Sequence, residues 1–178
     1  DIGIFETIRA ASVSFDEATA ALDAAFANSG LELHATHDVR VPGDTHKARV
    51  YVMTSPAYLD AAAAESARTV SAQVLRIAVY TTGADQATYV NMANPVAHAM
   101  VYYANSKNYD DMVKAAGVVA DEMRRLASVV PGESLSQQLE PRRSEKHYNK
   151  YKGDGPARMM AKFRTFEKSQ LEIREDKG

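Results

Sequence analysis

Histidine and methionine side chains gather around one turn of the chain. His98 and Met100 follow the Asn-Pro pair at residues 94–95, and Met92 precedes it. Imidazole nitrogens and thioether sulfurs are ligands for copper and axial ligands for haem iron. The pattern predicts a metal or haem site in which His98 acts with Met92 or Met100. Helical spacing adds Tyr102 to the face that carries His98.

The same residues have a purely structural interpretation. Methionine is a common filler of irregular gaps in protein cores. On this interpretation Met92 and Met100 belong to the core, and His98 lies half-buried against a backbone carbonyl. The cofactor therefore stays unknown, with haem and copper as the two hypotheses.

Three other histidines do not predict a shared metal site. His34 and His37 are three residues apart in a segment with strand-like alternation. Residues three apart in a strand point to opposite faces of the sheet. His46 follows a nearby turn and could join either of them, but exposed histidines at a sheet edge are the default interpretation.

Tyrosines provide the material for an aromatic pocket. The candidates are Tyr51, Tyr89, Tyr102, Tyr103 and Tyr109, which could line a site for a small ligand, although tyrosine at the edges of strands and helices is also ordinary amphipathic packing. The sequence contains no Gly-x-Ser-x-Gly elbow and no glycine-rich phosphate loop after a strand. An enzyme acting on a small ligand is therefore the weakest of the functional hypotheses.

A basic segment near the C-terminus carries the most distinctive set of residues. Arg142 and Arg143 lead a series of Lys and Arg side chains with Tyr148 and Tyr151 between them. A second motif follows Pro156, where Met160, Phe163 and Phe166 share one helical stripe with Met159 and Ile173. Such a stripe can insert into a groove on a protein partner or lie on a membrane surface. The basic residues could also contact phosphates. We expect these residues to bind a neighbouring subunit or another protein.

Charge supports this assignment. The whole chain carries a formal net charge of -2, which argues against nucleic acid as its partner. Residues 141–178 hold eleven basic and six acidic residues, a charge of +5, so the other 140 residues carry -7. A basic extension beside an acidic body favours docking on its own or a neighbouring protomer. An oligomer, with a dimer as the simplest case, is the expected partner.

Composition excludes several classes of site. The chain of 178 residues has no cysteine, so it has neither disulfides nor thiolate-bound metals. No apolar run approaches the roughly 18 residues of a membrane span, and no transmembrane segment is predicted. The chain begins with Asp1 rather than Met. We expect an exported, periplasmic protein, with a cytoplasmic one as the alternative.

These residues must be positioned by alternating strands and helices. The periodicity predicts strands over residues 2–10, 31–41 and 48–53, and a hairpin of residues 73–81 and 86–92. Helices are predicted over residues 14–28, 57–67, 96–103 and 110–130. Strong start signals support two of them, a Ser14–Glu17 capping box and Asn94 before Pro95.

The character of the chain changes after residue 130. We predict one domain over residues 1–130 and a basic, amphipathic extension over residues 131–178. Within the extension, residues 133–155 are polar and read as a linker or an extended arm, and Pro156 starts a last helix.

The order β–α–β–β–α–β–β–α–α over the first 130 residues resembles the domain-of-unknown-function family numbered 302. The similar motifs are Ser14-Phe15-Asp16-Glu17-Ala18, Met53-Thr54-Ser55-Pro56-Ala57-Tyr58 and Val90-Asn91-Met92-Ala93-Asn94-Pro95. The resemblance covers about 70% of the chain and implies an α+β fold similar to the TATA-binding-protein superfold, often dimeric. It implies an antiparallel sheet with helices on one face, and no activity.

Three functional hypotheses follow. The first is a non-enzymatic binding or accessory protein that works as an oligomer or as a subunit of a complex, with the C-terminal arm docked on a neighbour. The second is a haem or copper protein that uses His98. The third is a small-ligand enzyme with a tyrosine-lined pocket.

Overall fold

The computed structural model describes residues 1–40, 46–83 and 86–150, except for the side chains of Arg40 and Arg68. Its strands are β1 (Ile2–Gly3), β2 (Phe5–Ala11), β3 (Glu32–Arg40), β4 (Lys47–Thr54), β5 (Leu75–Thr82), β6 (Ala87–Ala93), β7 (Gly132–Gln138) and β8 (Arg142–Arg143). Its helices are α1 (Phe15–Ala25), α2 (Pro56–Ala61), α3 (Pro95–Tyr102), α4 (Tyr109–Ala127) and α5 (Glu145–Asn149). Two 3₁₀ helices span Phe26–Asn28 and Ala67–Gln73.

Six strands form one antiparallel sheet in the order β3-β4-β5-β6-β2-β7. Four of them, β3 to β6, neighbour each other in chain order, and β2 lies between β6 and β7. The short strands β1 and β8 pair separately and antiparallel, so that Ile2 faces Arg143. The prediction of an α+β fold with an antiparallel sheet is confirmed.

Strict alternation along the central strands separates the two faces of the sheet. Ile77 and Val79 on β5 lie opposite Met92 and Val90 on β6, and all four are buried. Their neighbours in sequence point to the other face, because successive side chains in a strand alternate. The buried face packs against the helices.

The helices reach this face with residues at helical spacing. Leu22 on α1 and Met112, Val119 and Met123 on α4 join the strand residues in one core. Helix α1 begins at the predicted capping box: Ser14 accepts a hydrogen bond from the Glu17 backbone amide at 3.3 Å, while the Glu17 carboxylate accepts one from the Ser14 backbone at 3.0 Å. Local sequence signals and core packing agree here.

The second predicted helix is shorter than expected. Helix α2 ends at Ala61, and residues 67–73 form a 3₁₀ helix instead of continuing it. Tertiary contacts outweigh the helix propensity of the alanines: Glu65 accepts hydrogen bonds from Ser106 and Asn108, at 2.8 and 3.0 Å. These bonds hold the chain close to the loop before α4.

The interpretation of residues 133–155 as a linker is wrong for their first part. Residues 132–138 form β7, which pairs with β2 at the edge of the main sheet. A polar sequence fits this place because an edge strand is exposed on several sides. The sheet therefore includes residues beyond position 130.

Several predictions lie outside the described residues. They are the Pro42-Gly43-Asp44 turn, residues 84–85 of the hairpin turn, and everything after residue 150, including the helix predicted from Pro156. Tyr151, Met160, Phe163 and Phe166 belong to this group.

Candidate functional site

His98 lies on α3, where the helix start fixes its partner. Asn94 caps the helix and accepts a hydrogen bond from the Val96 amide at 3.0 Å, with Pro95 in the first turn. The His98 ring nitrogen Nδ1 lies 2.9 Å from the Asn94 carbonyl oxygen, so Nδ1 carries the proton and donates. Burial, with a smaller contribution from the Arg76 charge, lowers the pKa of His98, while the bond to Asn94 opposes this. The ring is therefore neutral near pH 7, with Nε2 as its remaining acceptor or metal ligand.

The two methionines proposed as partners of His98 belong to different clusters. Met92 is fully buried in the main core. Met100 is half-buried against a small cluster formed by Ala97, Val101 and Tyr148. Tyr102 packs against both clusters. The haem or copper hypothesis stays a prediction. The contacts of Met92, Met100 and His98 also match the structural interpretation, in which the methionines fill the core and the histidine bonds to a backbone carbonyl.

Two of the other histidines, His34 and His37, lie on the edge strand β3. His34 Nε2 lies 2.7 Å from the Thr54 hydroxyl, and His37 is exposed opposite Val50. Within residues 1–40, 46–83 and 86–150, no three His, Asp or Glu side chains come together as a metal-binding group.

The five candidate tyrosines do not share one pocket in the described structure. Tyr51 stacks on Phe26, and Tyr89 packs against Tyr80 on the opposite face of the sheet. The Tyr109 hydroxyl lies 2.8 Å from Glu145 on α5. Tyr103 is fully buried in the main core, beside a tyrosine that the sequence did not single out.

The described part of the C-terminal segment folds back on its own chain. Tyr148, predicted to bind a partner, is only 3% exposed and packs against Ala97 and Val101 of α3. Its hydroxyl donates to the Ile2 carbonyl at 2.9 Å. Arg142 and Arg143 are exposed, and Arg142 forms an ion pair with Glu140 at 2.7 Å. Of the predicted partner-binding residues that the structure describes, only these two arginines lie at the surface.

A buried carboxylate on β2 has no counterpart among the residues predicted from the sequence. Glu6 is fully buried and accepts hydrogen bonds from Arg124 at 2.8 and 3.0 Å. Ser136 and Gln138 on β7 donate to the same carboxylate. The ion pair raises the pKa of Arg124. A lone acidic residue in a strand gives no sequence signal for such a network, because its partners are 118 to 132 positions away.

A second feature that the sequence did not reveal is an uncovered apolar surface on the sheet. Val50 and Val52 on β4, Ala78 and Tyr80 on β5, and Tyr89 on β6 point away from the helices, and we call them the open face. All five side chains are half-buried by their neighbours. None of them belongs to either core cluster of the described residues. The same face also carries Arg76 opposite Val52 and Asn91 opposite Ala78. Among the described residues, no second layer packs against the open face.

Comparison with known proteins supports the fold alone. Neither a family model nor a curated protein matches the sequence. A solved structure, described as an uncharacterized conserved protein DUF302 from Bacillus stearothermophilus, superposes with a TM-score of 0.57 at 11% sequence identity. The match covers 71% of this chain and 98% of that one. The chain therefore has a DUF302-like fold, as the resemblance implied.

No helix in the described ranges is both long enough and apolar enough to cross a membrane.

Proposed function

We propose that this chain is a non-enzymatic binding or accessory protein that works as an oligomer. In this proposal the C-terminal segment of one copy docks on the open face of its neighbour. The observation that carries the proposal is the open face itself, where valine, alanine and tyrosine side chains stand on three adjacent central strands.

An antiparallel sheet can expose one face to water, but that face is then usually polar. Here Tyr51 and Ile77 face the helices, while Val50 and Ala78 face away from them, beside the polar Arg76 and Asn91. Apolar side chains grouped at the surface in this way are typical of protein interaction sites. A second layer over the open face would bury these residues as the helices bury the inner face.

The C-terminal segment has the chemistry to provide that layer. Met160, Phe163 and Phe166 share one stripe at helical spacing in the sequence. The 28 residues after Lys150 span up to roughly 90 Å when extended, at about 3.3 Å per residue. They can reach a neighbouring copy, and the opposite charges of extension and body favour the encounter.

The exposed arginines fit the same arrangement. Arg142 and Arg143 precede the docking stripe and stand at the surface, where they can contact acidic side chains of the neighbour. Tyr151 follows α5 in the sequence and completes the predicted contact set. Exposed pairs of this kind contribute little affinity but help to orient the partners.

The test uses the full-length chain. Native mass spectrometry and light scattering give the oligomeric state of the unmodified protein and of Phe163→Asp, which places a charge on the stripe. A second single variant, Val50→Lys, places a charge on the open face. We expect both variants to shift the mass towards the monomer, while their thermal denaturation shows a retained fold.

Thr165→Asp is the matched control, because helical spacing places Thr165 away from the stripe. It adds the same charge and should leave the oligomer intact. A monomeric unmodified protein would exclude oligomeric function. An oligomer that survives both Phe163→Asp and Val50→Lys would exclude docking of the segment on a neighbour's open face.

A further inference from the structure

Strand β3 forms one edge of the six-stranded sheet and, among the described residues, pairs with β4 alone. It is the longest described strand, with nine residues from Glu32 to Arg40, and the side chains of residues 32–39 are all exposed. An edge strand presents a row of backbone N–H and C=O groups to which another strand can bond. Within the described structure, the outer side of β3 is therefore open to strand pairing.

Strand β3 has few of the features that protect a sheet edge. Protected edge strands are usually short, contain proline or lysine, or are bent by a bulge. β3 contains neither proline nor lysine, and its register shift, between Leu33 and Ala35, lies near its start. A regular run from Ala35 to Arg40 remains, which is long enough to pair with another strand. Leu33 and Val39 are 36% and 40% exposed, so apolar side chains also stand along this edge.

The regular run alternates between the two faces of the sheet. Thr36 lies opposite the buried Tyr51, on the side of the helices, whereas His37 lies opposite Val50 of the open face. Residues that lie opposite each other in paired strands point to the same face. Antiparallel pairing of β3 with a second copy of itself, centred on Thr36, meets this condition.

The two ends of β3 carry opposite charges. The strand begins with the acidic Glu32 and ends with the basic Arg40. Antiparallel pairing centred on Thr36 brings the start of each strand near the end of the other, and cross-strand pairs of opposite charge stabilise a sheet. Parallel pairing of two copies would instead place like charges side by side. The Asp38 carboxylate bonds to Arg49 of its own chain at 2.7 Å, so its charge is already paired.

We propose that β3 pairs antiparallel with β3 of a second copy, about a two-fold axis at Thr36. This inference rests on the proposed function, because the contact belongs to the oligomer in which the C-terminal segment docks on a neighbour. Edge pairing joins the two sheets with their open faces on the same side. A stable interface usually buries roughly 1,200 to 2,000 Å², which is more than one pair of short strands covers. Edge pairing and docking of the segment therefore support each other.

The absence of cysteine from the chain makes a cross-linking test specific. Thr36→Cys in the full-length chain places the thiols of two copies opposite each other, with Cα atoms about 4.5 to 5.5 Å apart in paired strands. This separation suits a disulfide. Mild oxidation should therefore convert most of Thr36→Cys into a covalent dimer on a non-reducing gel. Gln137→Cys is the matched control, because Gln137 is also polar and exposed but lies on the other edge strand, β7, and it should remain uncoupled.

A charge at the same position tests the contact without oxidation. Thr36→Lys places two lysines opposite each other across the axis, where like charges repel. We expect the dissociation constant of the oligomer, from light scattering over a dilution series, to rise by about tenfold or more. Gln137→Lys adds the same charge at the far edge of the sheet and should leave this constant unchanged. The cysteine variants decide the question if thermal denaturation shows that Thr36→Lys does not fold.

The possible outcomes separate edge pairing from docking of the C-terminal segment. An oligomer in which Thr36→Cys cross-links no better than Gln137→Cys would overturn edge pairing and leave docking of the segment standing. Efficient cross-linking of Thr36→Cys in an oligomer that survives Phe163→Asp and Val50→Lys would support edge pairing and refute the docking. A monomeric unmodified protein would overturn both.

Discussion

The Glu6 carboxylate and the Arg124 guanidinium form a two-point ion pair between β2 and α4. Nη2 of Arg124 lies 2.8 Å from Oε2 of Glu6, and Nε lies 3.0 Å from Oε1. Glu6 is fully buried, whereas the Arg124 side chain is 34% exposed. Because Ser136 and Gln138 also donate to Glu6, this one carboxylate connects the helix, the inner strand and the edge strand β7.

Removing the cation should destabilise the fold. Arg124→Met leaves the Glu6 charge buried without its countercharge, which usually costs more than the pair itself contributes. We expect the free energy of unfolding to fall by roughly 2 to 4 kcal/mol, somewhat less than for a fully buried pair because water reaches Arg124. Urea denaturation measures this change.

Asp121→Asn is the control for that experiment. Asp121 also bonds to Arg124, at 2.7 Å, but its side chain is 68% exposed. Loss of the Asp121 charge should lower the free energy of unfolding by less than about 0.5 kcal/mol. Equal effects of Arg124→Met and Asp121→Asn would show that burial of Glu6 does not determine the strength of the network.

Truncating the chain before β7 should lower its thermal stability more than truncating it after α5. A chain ending at Val130 lacks β7, and with it the Ser136 and Gln138 bonds to Glu6 and the β7 hydrogen bonds to β2. A chain ending at Lys150 keeps all of these contacts. We expect the shorter chain to melt at a clearly lower temperature, measured by circular dichroism. Equal melting temperatures would show that β7 adds nothing to the stability of the sheet.

Elements with strong local signals could be predicted from the sequence. The Ser14–Glu17 capping box and the Asn94-Pro95 start both mark true helix ends, because capping depends on neighbouring residues only. The order of strands and helices up to residue 127 follows from such signals and from periodicity. The α+β class follows from that order.

Features that depend on distant partners could not be predicted. Strand β7 has the polar sequence Gly-Glu-Ser-Leu-Ser-Gln-Gln and contains little of the apolar alternation typical of strands. Its stability comes from pairing with β2, more than 120 positions earlier. The open face was missed for a related reason, since the continuous apolar run around Val50 and Val52 does not tell which residues face the helices.

A glycine begins β7 in a conformation that other residues rarely adopt. Gly132 has a φ angle of +145°, and a Cβ atom there would lie 2.0 Å from the Ala10 carbonyl oxygen. Gly132→Ala should therefore lower the free energy of unfolding by about 1 to 3 kcal/mol, through strain and displacement of β7. Thermal and urea denaturation give the magnitude.

Gly117 provides a control of opposite sign. It lies inside α4, and a Cβ atom there would have nothing within 4 Å. Gly117→Ala should raise the free energy of unfolding by roughly 0.5 to 1 kcal/mol, because alanine loses less backbone freedom in a helix. A stabilising Gly132→Ala would contradict the close approach of β7 to Ala10.

The environment of His98 should make stability depend on pH. Burial lowers the pKa of His98 in the folded state below the value of about 6.5 found in unfolded chains. The unfolded state therefore binds the proton more tightly, so the stabilisation is complete above about pH 6.5 and is lost as the pH falls towards the folded pKa. Urea denaturation at pH 7.5 and pH 5.0 should show a lower free energy of unfolding at pH 5.0.

In His98→Gln the difference in the free energy of unfolding between the two pH values should shrink. His37→Gln, which removes an exposed histidine of the edge strand, is the matched control and should change the difference less than His98→Gln does. The cause would not be His98 if its replacement left the pH dependence unchanged or if the His37 variant removed it.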